Sequence, residues 1–223
     1  MSRKTFLHLT GPRLVHVTLA RNAPGIAALG LCRPATLARL AGRDPAEIAL
    51  RRDPVTLTTP AGEAVLNHQR PLLAGRNQAF LDGSDLAGWA AALDRRVFFW
   101  PGRARAAFDA SLSARSPSLH LHLDAGRVYD LFADRLDLSP INSGNASRRA
   151  APRGDWLYVP ATEAERFREN RRARGLTRTP DSLVELSLRD DIPPDLLSLV
   201  LEKVVCRTGH IENIGRLSDF SGQ

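Results

Sequence analysis

Two polar residues, His16 and Thr18, interrupt the apolar run Leu14-Val15-His16-Val17-Thr18-Leu19. Residues two apart on a strand share a face, so an imidazole and a hydroxyl are presented side by side. Buried polar atoms cost free energy unless they have partners. The pair is therefore either satisfied by neighbouring backbone or turned toward a ligand, where it suits sugar hydroxyls. Glu185 is the second anomaly, a carboxylate inside Leu183-Val184-Glu185-Leu186-Ser187-Leu188. It reads either as an outward-facing residue paired with an arginine, or as a catalytic acid, base or electrostatic stabiliser. Third, the stretch Ile141-Asn142-Ser143-Gly144-Asn145 precedes Arg148, Arg149 and Arg153. An ordinary turn and a phosphate-wrapping loop both fit that composition.

Two further groups have simpler readings. Arg166, Arg168, Arg171, Arg172 and Arg174 crowd one predicted helix, as a solvated face or as a phosphate-backbone contact. His120, His122 and Asp124 share a strand face. Leu119, Leu121 and Leu123 opposite them point to a one-sided or edge strand whose polar face meets water, and no metal site is expected. No Gly-X-Ser-X-Gly elbow, Walker motif or Gly-rich dinucleotide fingerprint is present in the sequence.

The net charge is +7, and only Lys4 and Lys203 among the cations are lysines. Arginine suits phosphate by its planar fork of donors, and a basic balance favours polyanions. Nucleic acid and a plain soluble surface remain competing explanations. At 223 residues, 43% of them hydrophobic, one domain over 1–223 is expected, with its core at about 14–205 and a loose tail after about 209. The sequence has no apolar run of the roughly 20 residues that a membrane span needs, and no secretory leader is read at the N-terminus. Cys32 and Cys206 have no ligand spacing, as expected of idle thiols in a reducing cytoplasm.

These residues need elements to hold them. A strand at Leu14–Leu19 leads into a helix with Asn22 as cap, Pro24 in its first turn and Gly30 at its end. Short helices follow at Pro34 and Pro45, and 53–83 is turn-rich. Ser84 is the expected cap of a helix burying Leu86, Trp89, Ala90 and Leu93. Strands are expected at Arg96–Trp100, Ser118–Asp124, Asp155–Ala161 and within Asp181–Asp191. Helices are expected at 103–114, 125–135, 162–175 and 193–205, with a polar loop at Leu138–Gly154. The absence of a βαβ rhythm argues for α+β with a mixed or antiparallel sheet.

The order of these segments resembles the ADP-ribosyltransferase superfamily from about Leu14 to Val205. The resemblance lies in His16, Thr18, Asn22, Ile26, Gly30 and Leu31, in the "RRVFFW" box, and in "LVELSLRDDIPPDLL". Toxins that modify thymidine in single-stranded DNA, and RNA 2′-phosphotransferases, are more distantly similar. The resemblance implies a split mixed or antiparallel sheet flanked by short helices, with NAD as co-substrate and no metal. It implies Glu185 as catalytic carboxylate and His16 and Thr18 as NAD contacts. Phe98 and Phe99 would then line the nicotinamide site. Asn142 and Ser143 would contact the cofactor, and Arg148, Arg149, Arg153, Arg171 and Arg172 would meet phosphate or nucleic acid. The positive charge makes nucleic acid the preferred acceptor, and the likeness to toxins brings an antitoxin or immunity partner. A non-catalytic nucleic-acid or nucleotide-binding module on this fold is the alternative. The second box has neither the Ser-Thr-Ser nor the stacking tyrosine of the better-known members.

Overall fold

The computed structural model describes residues 1–74, 80–102, 116–147, 151–179, 181–207 and 210–213. Ten strands and eight α-helices are assigned among them. The chain opens with α1 (Arg3–Thr10) and β1 (Arg13–Leu19), then α2 (Ala23–Leu29), α3 (Pro34–Leu40) and α4 (Pro45–Ile48). A hairpin of β2 (Val55–Thr59) and β3 (Gly62–Leu66) precedes α5 (Arg70–Leu73), α6 (Leu86–Asp94) and β4 (Val97–Pro101). β5 (Ser118–Asp124), α7 (Ala125–Phe132), β6 (Leu136–Ser139), β7 (Val159–Pro160) and α8 (Ala164–Ala173) follow. β8 (Glu185–Leu188), β9 (Val200–Arg207) and β10 (His210–Asn213) complete the order.

Eight strands form one sheet in the order β10-β9-β5-β1-β4-β8-β6-β7, and every neighbouring pair in it is antiparallel. The fold is thus α+β with an antiparallel sheet and a separate two-stranded hairpin. The sheet parts at its centre. β1 pairs with β5 along its whole length, Arg13 to Leu19. It meets β4 only at Leu14↔Pro101 and Val15↔Trp100, after which β4 runs with β8 instead.

One face of the sheet carries the main core. Leu14, Leu119, Leu121, Leu123, Phe99, Leu186 and Leu188 meet there, and Phe6, Val128 and Phe132 from the helices pack on them. The other face of the β4-β8-β6 half is covered by α6, through Trp89, Ala90 and Leu93 with Leu157 and Tyr158.

Several local expectations need correction. Asp85, not Ser84, caps α6, accepting from the Gly88 N–H at 2.7 Å. The segment after Pro193 is not an α-helix: Pro194–Leu199 is a 3₁₀ turn and Val200–Arg207 is a strand. The Val-rich run satisfies its backbone by pairing with β5. The tail after 209 is not loose throughout, because β10 pairs with β9. Nor is β5 an edge strand: it lies between β1 and β9, and His120 is buried. The expected 155–161 strand reduces to two residues after a 3₁₀ turn. The expected 103–114 helix falls outside the described residues.

Asn22 sits at the head of α2, yet its side chain caps nothing there. Its amide accepts from the Val65 N–H at 2.8 Å and donates to the Val65 carbonyl at 2.9 Å. It also donates to Thr18 Oγ1 at 2.9 Å. One side chain thereby stands in for a strand partner and clamps the hairpin beside β1. Asn22→Ala leaves both Val65 groups without this partner. Urea unfolding should show a loss of about 1–3 kcal/mol, with Asn22→Asp, which keeps the acceptor, falling between.

Candidate functional site

The parting of β1 from β4 opens a cavity of about 1320 Å³, above the roughly 300–1,000 Å³ of ordinary small-molecule sites. His16, Thr18, Phe98, Asn142, Ser143 and Glu185 all line it. By strict alternation in an unbroken sheet, His16 and Glu185 belong to opposite faces. His16 shares the Leu14 and Phe99 side, and Glu185 the Phe98 and Ser187 side. The gap between β1 and β4 removes that separation, so both side chains reach one cleft.

His16 bridges the gap. Its Nδ1 lies 2.9 Å from the Phe98 carbonyl. A carbonyl only accepts, so Nδ1 carries the proton and Nε2 is the acceptor nitrogen of a neutral ring. Burial pushes the imidazole down to about 4 against the smaller opposing pull of the Phe98 carbonyl, which keeps it neutral at physiological pH. Thr18 accepts from Asn22 at its Oγ1, and its own O–H remains to donate. Beside His16 the cleft therefore offers one acceptor and one donor.

Glu185 begins β8 opposite Ser139 of β6 and is only 4% exposed. Its Oε1 accepts from the Ser143 hydroxyl at 2.6 Å and from the Ser143 N–H at 3.2 Å. Oε2 takes neither bond, and Glu185 lines the cleft. Desolvation pushes the carboxyl up to about 7, against the lowering pull of the Ser143 bonds and of Arg153 and Arg96. Near neutrality this group exchanges between acid and carboxylate, the range a group working by proton or charge needs.

Arg153 holds the loop that holds Glu185. It is 1% exposed and donates to four carbonyls: Ser143 at 3.0 Å, Asn142 at 3.1 Å, and Asn145 and Ala151 each at 2.6 Å. The Trp89 indole N–H adds a bond to the Ser143 carbonyl at 3.3 Å. Beneath lie Tyr158, stacked on Trp89 at 5.7 Å between ring centres, and the Arg96 guanidinium 3.8 Å from the Tyr158 ring centre. Arg96 is paired in turn with Asp137. The 138–154 loop is therefore not a solvent-facing polar turn: Ser143, Ala146 and Arg153 are buried.

The structure separates the sequence-derived candidates. Arg153 is an internal strut and not a surface phosphate contact. Ser143 spends its hydroxyl on Glu185. Phe99 is fully buried in the main core, and Phe98 alone of the aromatic pair lines the cleft. Arg171 is buried and donates to the Ser182 carbonyl and to Thr179, so it cannot serve a ligand. Arg172 is exposed on α8 but outside the cleft. Arg148 and Arg149 lie outside the described residues. Sequence reasoning missed the far wall, formed by the β3 edge from Ala64 to Leu66 and by the Arg51–Asp94 pair. The signal for that wall was present in Val55–Thr59, a β-branched run followed by Pro60-Ala61-Gly62, which is a hairpin pattern. The cavity also reaches Arg21, Trp156 and Arg174.

The chain belongs to a family of unknown function (DUF7002), whose model matches residues 12–200. A comparison with curated proteins found no match. No described helix is long and apolar enough to cross a membrane.

The two shifted groups bias stability in opposite senses. Glu185 is raised in the folded state, so the fold binds its proton more tightly than the unfolded chain does. Its contribution falls as pH climbs from about 4.5 to about 7. His16 is lowered, and its contribution falls as pH drops from about 6.5 to about 4. Glu185→Gln keeps an acceptor for Ser143 without the buried charge. It should therefore be more stable than the wild type at pH 8, by up to about 3 kcal/mol, with the difference falling below about 1 kcal/mol at pH 5. Thermal melts of both proteins across that range measure this.

Proposed function

We propose that this member of an uncharacterised family is an NAD-dependent ADP-ribosyltransferase with a macromolecular acceptor, nucleic acid being preferred. The observation that carries the reading is the meeting of His16, Thr18 and Glu185, far apart in sequence, in one cleft at the parting of the sheet. NAD supplies the transferred group: the bond from nicotinamide to ribose C1′ breaks, nicotinamide leaves with the electron pair, and an acceptor oxygen or nitrogen bonds C1′ and gives up its proton.

The residues present fit that ligand. Glu185, whose Oε2 takes neither Ser143 bond, accepts from a ribose hydroxyl and, when ionised, stabilises the positive charge that develops on the sugar. His16 Nε2 accepts from a second hydroxyl, and the Thr18 hydroxyl donates. Beyond Val15 the β4-facing edge of β1 has no strand partner among the described residues. Its backbone donors and acceptors match a carboxamide, as they would a strand. Phe98 supplies apolar wall. Ser143 and Arg153 keep the carboxylate in place, so little reorganisation is needed at the moment of reaction. A cytoplasmic setting agrees with Cys32 and Cys206 both being free thiols.

Purified protein mixed with NAD should release nicotinamide, at a rate that rises with pH through about 7 as Glu185 ionises. Glu185→Gln should lower the rate by at least about 100-fold while the fold, read by circular dichroism, persists. No release with or without single-stranded DNA or RNA, together with salt-sensitive oligonucleotide binding, would instead support a binding module without turnover.

A further inference from the structure

The cleft has an end that the chemistry above does not use. At its rim Trp156 is 39% exposed, an indole left in solvent where a core would be expected to absorb it. The ring is held in place. Its N–H donates to Asp82 at 3.0 Å, and the Trp156 carbonyl accepts from the Asn170 amide at 2.7 Å. Gly154 lies close beneath: a Cβ there would come within 2.6 Å of the indole nitrogen, so the ring packs against bare backbone. Above it stands the Arg174 guanidinium, 4.3 Å from the ring centre. Arg174 is fixed in turn by the Asn170 side-chain oxygen and the Pro152 carbonyl, each at 3.0 Å. Both side chains line the cleft. Arg21, on the same cavity wall as Thr18, has no side-chain partner among the described residues.

With Gly154 on one side of it and Arg174 on the other, the indole backs the guanidinium plane, and the outer face of Arg174 is a flat cationic surface held in position. An unpaired nucleobase fits it, because every base has a π-face and stacks on aromatic rings and on arginine planes alike. A phosphate or an acidic peptide would use the charge but leave the aromatic plane without a purpose. We propose that Trp156 and Arg174 form the platform on which a base of single-stranded nucleic acid stacks, with Arg21 available to the sugar-phosphate chain as it enters the cleft. The inference deepens the transferase reading and rests on it for the meaning of the bound strand as acceptor. Duplexes are disfavoured, since their bases are already stacked. DNA and RNA share the stacking chemistry, and the 2′-hydroxyl is what would separate them.

The test uses the full chain without NAD, so that its result is independent of nicotinamide release. Fluorescence anisotropy is read with labelled 12-nucleotide single-stranded DNA, with RNA of the same sequence, and with the DNA duplex. Single strands should bind at least tenfold tighter than duplex. Trp156→Ala removes the ring that holds the Arg174 plane in position and should weaken single-strand binding by about 3- to 30-fold, the span of one lost cation–π contact. Arg174→Lys keeps the charge and loses the plane. It should weaken binding several-fold without changing the salt slope, and it decides the matter if Trp156→Ala does not fold. Tighter binding of one single strand than the other identifies the acceptor as DNA or RNA within the same proposal. Equal affinity for duplex and single strand, or both variants within twofold of the wild type, overturns it.

Discussion

The parting of β1 from β4 is the constraint on which the rest of the molecule depends. Two antiparallel strands that meet at Leu14 and Val15 and then separate leave backbone groups without a ladder, and such groups are costly if simply buried. The structure answers at two points. His16 sends its ring across to the Phe98 carbonyl, replacing a lost ladder bond with a side-chain one. On the other side of the gap Asn22 reaches from the end of β1 to both backbone groups of Val65 in β3, which holds the hairpin as the opposite wall. A gap stabilised in this way is a permanent cleft, because closing it would require breaking bonds already made. It also lets residues of opposite pleat parity share one space, which an intact sheet forbids.

Glu185 shows what that cleft costs. A carboxylate in so dry a place lowers stability whenever it is ionised. The chain surrounds it with supports: two bonds from Ser143, a loop drawn around Arg153, and the Trp89–Tyr158–Arg96 stack beneath. Arg153 is the organising piece. A guanidinium that meets four carbonyls fixes the turn from 142 to 145 as rigidly as a short strand would. Such supports fix direction as well as position: both Ser143 bonds fall on Oε1 and leave Oε2 outside them. Strain of this sort, concentrated on one buried ionisable group, is characteristic of functional sites.

Much of this was legible in the residues. Strand β5 shows in its alternating leucines, α2 in its Pro24 and Gly30 ends, and β4 in its aromatic content. His16, Thr18 and Glu185 stand out because each violates a local pattern, and a violated pattern needs no tertiary information to be seen. What the sequence hides are choices between equally good local solutions. Val200–Arg207 fits helical spacing and strand composition alike, and only the vacant edge of β5 decides between them. Asn22 is a good cap by residue type, but the Val65 backbone offers it two bonds where a cap offers one. Phe98 and Phe99 are identical in composition. Register alone sends one to the cleft and the other to the core.

The arginines carry the same lesson further. A count of charges suggests a surface made for polyanions, yet many of these cations are committed to partners within the chain. Arg33 grips Asp191, Arg51 grips Asp94, Arg96 grips Asp137 and Arg168 grips Asp181. Arg153 and Arg171 are spent on carbonyls. Arginine serves in these places as a structural cross-link, because one planar group can satisfy several acceptors at once. Net charge therefore overstates the free positive potential, and it says nothing about where that potential acts. The informative cations are the ones that line the cleft without a carboxylate beside them, Arg21 and Arg174. With Glu185 and its supports at the parting of the sheet and Arg174 over an exposed indole at the rim, the cleft is chemically different at its two ends. A ligand that used both would have to combine a sugar with a flat aromatic ring.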